Sequence, residues 1–387
     1  MHKHRLGVDV GGTHIKFLIL NGKFSEKYII KTPKNLIKND VVFLNYEKIK
    51  EKILSFISNY GFQNIDLITL SGQMHSTLTV VKDEINEGPY SWQCENKKDT
   101  KLIESLISKY DVIDIKRGYP IFNLTKNSIG TYGTILTKLF GDFTGNYNYI
   151  HLSEAAGTGF FDLEKKEWDL LLLKKLKFDL VELPRVISKI KFYKHKNFNT
   201  KISIPIGDFQ MSMATNLLRK DRSLAFNLAT GGQIAILNDG RKPIFQSRPS
   251  LLNNLMYDCY TQLPAGRIIN LLDSKVSQTK LNFDLNTYNF VSQFPDLFSL
   301  SEINNYLEKQ LTIYSYSEIF HSLLKKYITI IKLYDSHYEF NQIILSGSIL
   351  KNYSFFSERM NYFFPNKKLK FNDDDVLEKH LKLLKNL

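Results

Sequence analysis

Residues Leu6 to Leu20 read LGVDVGGTHIKFLIL. Leu6, Val8 and Val10 alternate, two glycines interrupt the run, and Ile15, Phe17 and Ile19 alternate again. That pattern predicts two strands joined by a tight Gly-Gly turn. Asp9 stands in the middle of the apolar first strand, where a carboxylate needs a charged partner or a metal. Gly11 and Gly12 carry no Cβ, so their backbone N–H groups can approach a ligand closely. Thr13 adds a hydroxyl and Lys16 a cation. An acid, bare backbone donors, a hydroxyl and a lysine this close together suit a magnesium–phosphate group. The competing reading is an ordinary hairpin with one solvated Asp, which the scarcity of Asp in strands disfavours.

The stretch is not a P-loop: no G-x-x-x-x-G-K-[ST] occurs, and a strand follows the glycines. The chain has 387 residues, 43% of them hydrophobic and 24% charged, enough for about two domains with real cores. No apolar run reaches roughly 18 residues, and no signal-peptide core is evident, so no membrane partner is expected. Two cysteines, Cys94 and Cys259, are too few and too far apart for a disulfide framework or a zinc cluster. The cytoplasm is the expected compartment. The net charge of +13 comes from lysines spread along the chain. It is read as general attraction for an anionic cofactor, with no nucleic-acid partner.

Beyond the hairpin, Lys27–Lys31 reads as a third strand, Tyr46–Tyr60 as a helix capped by Gly61, and Ile65–Leu70 as a buried strand. Strand, strand, strand, helix, strand is the pattern of a ribonuclease H-like half. The last strand runs into Ser71-Gly72-Gln73-Met74-His75, at a strand end where ligands bind in α/β sheets. Gln73 and His75 can hydrogen-bond hydroxyls while Met74 packs on carbons. A turn is expected at Gly88-Pro89 before Trp92-Gln93. Helices are expected at Lys101–Lys109 and Thr131–Leu139, with a loop at Gly118–Pro120 between them. Ser153-Glu154-Ala155-Ala156-Gly157-Thr158-Gly159 is a small-residue stretch, read as close backbone packing near a cleft. Lys201–Ile206 is strand-like, and Gly207-Asp208-Phe209-Gln210-Met211-Ser212 begins a helix. Asp208 there is either an N-cap or something more.

After about Asp221 the pattern returns. Leu224–Ile236, LAFNLATGGQIAI, mirrors the opening hairpin as a weak internal repeat, with Thr230, Gly231 and Gly232 as a second phosphate clamp. Residues 275–300 read as a surface excursion and Ile319–Leu333 as a helix. The strand Gln342–Leu345 leads into Ser346-Gly347-Ser348-Ile349-Leu350-Lys351-Asn352, whose backbone N–H groups suit a polar or anionic ligand. Val376–Leu384 reads as a terminal helix.

Several of these segments carry a resemblance. Asp9-x-Gly11-Gly12-Thr13-x-x-Lys16 resembles the first phosphate motif of the sugar kinase, heat-shock protein and actin superfamily, in both ROK glucokinases and FGGY carbohydrate kinases. Ser71–His75 resembles S/C-G-Q-M-H-G of xylulokinases and sedoheptulokinases, which separates FGGY enzymes from ROK ones. Trp92-Gln93 resembles W-Q-D-x-R, with Cys94 and Asn96 in place of the acid and the Arg, so the contact made by that acid does not carry over. Ser153–Thr158 resembles S-D-A-S-G-T, with Glu154 for the acid. Gly207–Ser212 resembles the G-D-x-Q box, in its Phe209-Gln210-x-Ser212 form closest to sedoheptulokinases. Asn227 and Gln233 match N-I-S/T-x-x-Q-L of the same enzymes. Ser247-Arg248-Pro249 and Leu263–Arg267 resemble them too. Ser346–Asn352 resembles the adenosine loop G-G-x-x-x-N/S, whereas the C-terminal stretch lacks the family's A-x-G-A-A run.

The resemblance implies an FGGY-type α/β fold of two ribonuclease H-like domains flanking a cleft. Residues 1–218 would form a sugar-binding and catalytic domain and 219–387 a nucleotide-binding domain. It implies transfer of the ATP γ-phosphoryl group to a primary hydroxyl of a ketose, with ATP and Mg²⁺ as cofactors and sedoheptulose ahead of xylulose. Asp208 would be the catalytic base and Asp9 the metal residue. Gly11, Gly12, Thr13, Lys16, Thr230, Gly231, Gly232, Ser346, Gly347 and Asn352 would hold the nucleotide. Gln73, Met74, His75, Trp92, Asp208, Phe209 and Gln210 would contact the sugar. A monomer or homodimer is expected. The other readings are a ROK glucokinase, disfavoured by the lack of a cysteine-rich zinc loop, and a degenerate kinase that senses a sugar or nucleotide.

Overall fold

The computed structural model describes residues 3–22, 24–94, 124, 128–175, 177–178, 180–216, 222–229, 231–251, 255–266, 268–269, 300–311, 316–347, 349–350, 355–372 and 377. They belong to two compact units. The first comprises Met1–Thr215 with Arg248–Asn254 and Asp374–Leu387; the second comprises Asn216–Ser247 and Leu255–Asp373. The expectations at Asn96, Lys101–Lys109, Gly118–Pro120, Asp221, Thr230, Arg267, 275–299, Ser348 and Lys351-Asn352 lie outside the described residues. So does the terminal helix, of which only Leu377 is described.

In the first unit His4–Val10 pairs antiparallel with His14–Asn21, Asp9 facing Lys16 and Val10 facing Ile15. The third strand runs over Phe24–Lys31, three residues longer than its sequence pattern predicts. On its other side His4–Val10 lies parallel to Ile65–Gly72, with Asp9 opposite Ser71. The crossover between these parallel strands carries the helix Tyr46–Tyr60. Tyr46, Ile49, Ile53 and Ile57, at helical spacing, are its buried stripe. Gly61 ends it, its N–H donating to the Ile57 carbonyl.

That stripe meets Leu6, Val8, Val10, Ile15 and Phe17, all fully buried, together with Leu136, Leu139 and Phe140 of the helix Ile135–Thr144. Leu18 and Leu20 point to the other sheet face and pack with Leu377. Each such side chain contributes about 1.5–3 kcal/mol of burial, so the hairpin is anchored on both faces. Its tip is left outside, with Gly12, Thr13 and His14 exposed.

The expected strand Lys201–Ile206 is broken in two. Lys201–Ser203 and Ile206–Gly207 both pair with Ile65–Gly72 in parallel, but the register between them slips by one residue. Pro205 lies in the gap; it has no N–H for the ladder, so the chain bulges there. A second sheet runs Val181–Glu182, Gly130–Gly133, Thr77–Val81, Glu84–Tyr90, Val41–Phe43, Leu36–Lys38. It corrects two expectations. Gly88-Pro89 is not a turn but lies within the strand Glu84–Tyr90, where a register shift against Thr77–Thr79 absorbs the proline. The helix expected at Thr131–Leu139 begins only at Ile135. Thr134 and Thr137 form a capping box that starts it there, which leaves Thr131–Gly133 to pair with Thr77–Val81.

The second unit repeats the plan. Ser223–Leu228 and Gly232–Asn238 form the antiparallel hairpin, and Met256–Leu263 is its third strand. Gln342–Ser346 lies parallel to Ser223–Leu228, and Lys368–Phe371 lies parallel beyond it. The expected helix Ile319–Leu333 extends over Tyr316–Tyr338 and buries Ile319, Leu323, Tyr327, Ile331 and Tyr334 against the sheet. Asp258 is fully buried and satisfied: the Ile244 and Phe245 N–H groups and the Tyr338 hydroxyl all donate to its carboxylate.

The repeat, weak in sequence, extends to single atoms. Ser71 Oγ donates to Asp9 Oδ1 at 3.2 Å in the first unit, and Ser346 Oγ lies 3.2 Å from Asn227 Oδ1 in the second. A glycine follows each serine. A Cβ on Gly72 would fall 2.5 Å from the Val10 carbonyl oxygen, and one on Gly347 would collide with the Leu228 carbonyl. Gly347 also has φ +99°, a conformation L side chains rarely adopt.

Candidate active site

Three parallel strands of the first unit end side by side. In register they bring together Asp9 and Val10, Ser71 and Gly72, and Ile206 and Gly207. Asp208 follows directly as the first residue of the helix Asp208–Asn216. The carboxyl ends of parallel strands are where α/β sheets present ligand-binding groups, because loops there open toward solvent while the strand bodies stay packed. Asp9 and Asp208 thus share one end of one sheet, though they are 199 positions apart in sequence.

Asp9 keeps 17% of its side chain exposed. Its Oδ2 lies 3.5 Å from Lys16 Nζ, across the antiparallel pair. The turn between them is closed by the Gly11 N–H donating to the His14 carbonyl at 3.0 Å. It is also latched by Thr32, whose hydroxyl donates to the Gly11 carbonyl at 2.8 Å and whose N–H donates to the Thr13 carbonyl at 3.0 Å. The Gly11 and Thr13 carbonyls are thereby occupied. Thr32 carries no motif and was not legible in the sequence.

The Gln73–His75 segment sits beside this turn. Gln73 N donates to the Val10 carbonyl at 2.9 Å, and Gln73 Oε1 accepts from Trp92 Nε1 at 3.2 Å. Both side chains come within 4 Å of where a Cβ on Gly12 would stand. Met74 is buried between two glycines: a Cβ on Gly207 would lie 2.5 Å from Met74 Sδ, and one on Gly157 would lie 2.9 Å from Met74 Cε. Glycine at both positions is a close-approach requirement. His75 adopts a positive φ of 65° and its Nδ1 lies 2.7 Å from the Gly157 carbonyl oxygen. Donating there makes Nδ1 a protonated nitrogen.

Asp208 is exposed at the helix start, with its own helix's Phe209 N–H donating to Oδ1 at 2.8 Å. The preceding Gly207 N–H donates to Ser153 Oγ at 3.1 Å, and that hydroxyl is 2.8 Å from His151 Nδ1. Ser153 N donates to the same Nδ1, so Nδ1 is an acceptor and the imidazole is neutral. Burial pushes its pKa down to about 4. The chain His151–Ser153–Gly207 holds the backbone one residue before Asp208. Phe209 and Gln210 are buried, and the Arg248 guanidinium lies 5.0 Å from the Phe209 ring centroid. Glu154, in the same short helix Leu152–Ala156 as Ser153, is fully buried, and its pKa is pushed up to about 8. Burial is the main cause; the Thr134 hydroxyl opposes the rise and the Asp208 carboxylate adds to it.

The sequence-predicted residues Asp9, Gly11, Gly12, Thr13, Lys16, Gln73, Met74, His75, Trp92, Asp208, Phe209 and Gln210 therefore lie in the first unit, linked by the contacts above. Gly231, Gly232, Ser346 and Gly347 lie in the second unit, at the equivalent strand ends, and Thr230 and Asn352 fall outside the described residues. Cys94, in the place of an acid, is not a site group: its thiol donates to the Val42 carbonyl and accepts from the Val42 N–H. Among the described residues no cluster of three or more His, Cys, Asp or Glu could hold a metal. Magnesium bound to a nucleotide needs no such cluster, because phosphate and water supply most of its ligands and one carboxylate suffices. Asp9, partly exposed and beside the Gly11–Thr13 turn, fits that donor set. Among the described residues no helix is long and apolar enough to cross a membrane.

No family model matches the chain. Xylulose kinase of Staphylococcus xylosus is 25% identical over 218 residues, a match that covers 47% of this chain and 42% of that protein. The chain thus matches less than half the length of this curated relative. Among solved structures, gluconate kinase from Lactobacillus acidophilus superposes with a TM-score of 0.71 at 16% identity, covering 99% of this chain and 90% of that one. Ligand-bound xylulose kinase from the same organism gives 0.71 at 18% identity, covering 98% and 90%. The chain therefore shares the fold of these two proteins, with one sheet of the same plan in each of its units.

Proposed function

We propose that the protein is an FGGY-type carbohydrate kinase that transfers the ATP γ-phosphoryl group to a primary hydroxyl of a ketose. The observation that carries this reading is the side-by-side ending of three parallel strands, which sets Asp9, Ser71 and Asp208 at one end of one sheet next to Gln73–His75. Phosphoryl transfer depends on positioning and charge neutralisation, and the first unit offers residues for both. Asp208 accepts the proton of the attacking hydroxyl. Gln73, His75 and Trp92 orient the sugar while Met74, Phe209 and Gln210 shape its floor. Lys16 and the Gly11–Thr13 turn bind phosphate oxygens, and Asp9 holds Mg²⁺. When bound, the metal neutralises phosphate charge. In the second unit Gly231, Gly232, Ser346 and Gly347, with Thr230 and Asn352 from the same sequence motifs, are read as nucleotide contacts. The first unit, which includes Arg248–Asn254 and Asp374–Leu387 besides Met1–Thr215, is the sugar and catalytic half, and the second unit is the nucleotide half.

Two ketoses compete as substrate. The Asp208 and Gln233 segments favour sedoheptulose; the similarity to xylulose kinases favours xylulose. A coupled ADP-release assay over sedoheptulose, xylulose, gluconate, glycerol and glucose decides. Turnover highest with a ketose is expected. Glucose as the best substrate would favour a ROK-type glucokinase, and nucleotide binding without ADP release from any sugar would favour a sensor.

A further inference from the structure

Residues 183–207 hold six cations and no Asp or Glu, in a chain that carries 39 acids among 387 residues. Arg185, Lys189, Lys191, Lys194, Lys196 and Lys201 are all exposed. Among the described residues none of the six forms an ion pair. Asp66, next to the Leu67 that pairs with Lys201, is taken up by Arg5 at 3.6 Å. Over the whole chain the lysines are spread out and imply no nucleic-acid partner; this stretch is the exception. The fold also draws it together. Arg185 pairs with Tyr149, whose ring centroid is 5.3 Å from that of Tyr193, and the Lys191 carbonyl accepts from the Ile204 N–H.

Phe192–Lys194 is the outermost strand of the first sheet. It runs antiparallel to Lys201–Ser203, and Lys194 stands directly opposite Lys201. Like charges directly opposite each other destabilise a strand pair, and an anion held between them would remove that cost. Phe192, two residues from Lys194, shares its face. Phe198, in the turn between the two strands, stacks on Phe62 with ring centroids 4.9 Å apart. Phe192 and Phe198 each keep 36% of their surface exposed. Lysines on an edge strand can serve simply to block pairing with another sheet. That role is filled within the strand; it accounts neither for Arg185, Lys189, Lys191 and Lys196 outside it nor for the rings among them.

We propose that this face binds single-stranded nucleic acid, with phosphates on the cations and bases stacked on Phe192 and Phe198. Cations interleaved with aromatic rings hold a single strand without regard to its sequence, because every base has a face to stack. An anionic lipid surface fits less well: insertion needs apolar side chains that stand clear of the protein, and both phenylalanines are mostly buried. The face is separate from the candidate active site. Lys201 pairs with Leu67, and Gly72, at the site end of the same strand, is about 16 Å further along. The inference therefore stands apart from the kinase reading.

The test is fluorescence anisotropy of a labelled oligouridine of about 20 nucleotides with the full-length protein, at about 50 to 200 mM salt. Wild type should bind, with affinity falling steeply as salt rises. The triple variant Lys194→Ala, Lys196→Ala, Lys201→Ala should bind about tenfold or more weakly. Its slope of log affinity on log salt should be shallower by about 2, at about 0.7 per lost phosphate contact. A control triple, Lys325→Ala, Lys368→Ala, Lys370→Ala, removes exposed lysines of the second unit and should stay within about twofold of wild type. Lys201→Glu sets opposite charges across the strand pair, so it should melt no lower than wild type yet bind more weakly than Lys201→Ala. Phe192→Leu keeps apolar bulk without a ring face and should cost about fivefold or more with the slope unchanged. Wild type that does not bind, or a patch triple within about twofold of wild type, overturns the proposal. An equal loss in the control triple makes net charge the cause and overturns it too. Phe192→Leu binding like wild type removes the stacked bases and with them the single-strand assignment. Lysine-dependent sedimentation with phosphatidylserine vesicles, without oligouridine binding, assigns the face to a lipid surface and equally overturns it.

Discussion

Glu154→Gln should change how the stability of the first unit depends on pH. A free glutamate carboxyl has a pKa of 4.5, and the buried Glu154 is raised to about 8. Between these values the unfolded chain has lost the proton and the folded chain keeps it only by remaining neutral in the core. The folded state binds more protons, so stability falls as pH rises through this window. Each pH unit removes about 1.4 kcal/mol, on the order of 5 kcal/mol across the window. The Gln variant has no proton to exchange and lacks this slope. His151 acts in the opposite sense. Its pKa falls from 6.5 to about 4, so the stability of its neutral form is present above 6.5 and lost as pH falls toward 4. It is present in both proteins and cancels in the difference. Wild type should be nearly level from these two groups at acidic pH and weaken above 6.5, while the variant levels off there. The assay is urea unfolding at intervals from about pH 5 to about pH 8.5, followed by tryptophan fluorescence. The chain's two tryptophans, Trp92 and Trp168, both lie in the first unit, so the signal reports that unit. A wild-type minus variant difference constant to within about 0.5 kcal/mol across the range would refute a buried, neutral Glu154.

Asp208→Asn should lower kcat by roughly 10²-fold or more while sugar and ADP still bind in calorimetry; a variant retaining over half of wild-type kcat removes Asp208 from the base role. Asp9→Ala and Lys16→Ala should each lower kcat/KM for Mg–ATP by about 10- to 100-fold, the worth of a charged hydrogen bond, with sugar affinity unchanged. Unaltered ATP dependence in both would make the hairpin purely structural. Thr32→Val should destabilise the first unit by about 1 kcal/mol in urea through loss of the bond to the Gly11 carbonyl, and should raise KM for ATP more than KM for sugar. Equal effects on both would separate Thr32 from the phosphate turn.

Much of the architecture was legible because local pattern and tertiary packing agree. The Leu6–Leu20 alternation, the Tyr46–Tyr60 stripe and the buried run at Ile65 each form the expected element, because each buries the side chains its period selects. The misreadings fall where a local breaker is overruled. Gly88-Pro89 looks like a turn in isolation, yet a shifted register accommodates it inside a strand. Thr131–Gly133 can start a helix, yet Thr134 and Thr137 cap one instead and free those residues for the sheet.

The sequence by itself determined which residues are chemically able to serve: acids in apolar strands, glycines before a turn, a Gln-Met-His segment at a strand end. Those are properties of side chains and short spacings, and they survive without a fold. Which of them meet was decided only by tertiary structure. Asp9 and Asp208 come to the same end of one sheet because strands from distant parts of the chain pair in parallel on either side of Ile65–Gly72. Thr32 and Ser153 gain their roles solely through hydrogen bonds to backbone far away in sequence. The protonation of Glu154 likewise has no local cause, because desolvation depends on what the rest of the chain packs around it.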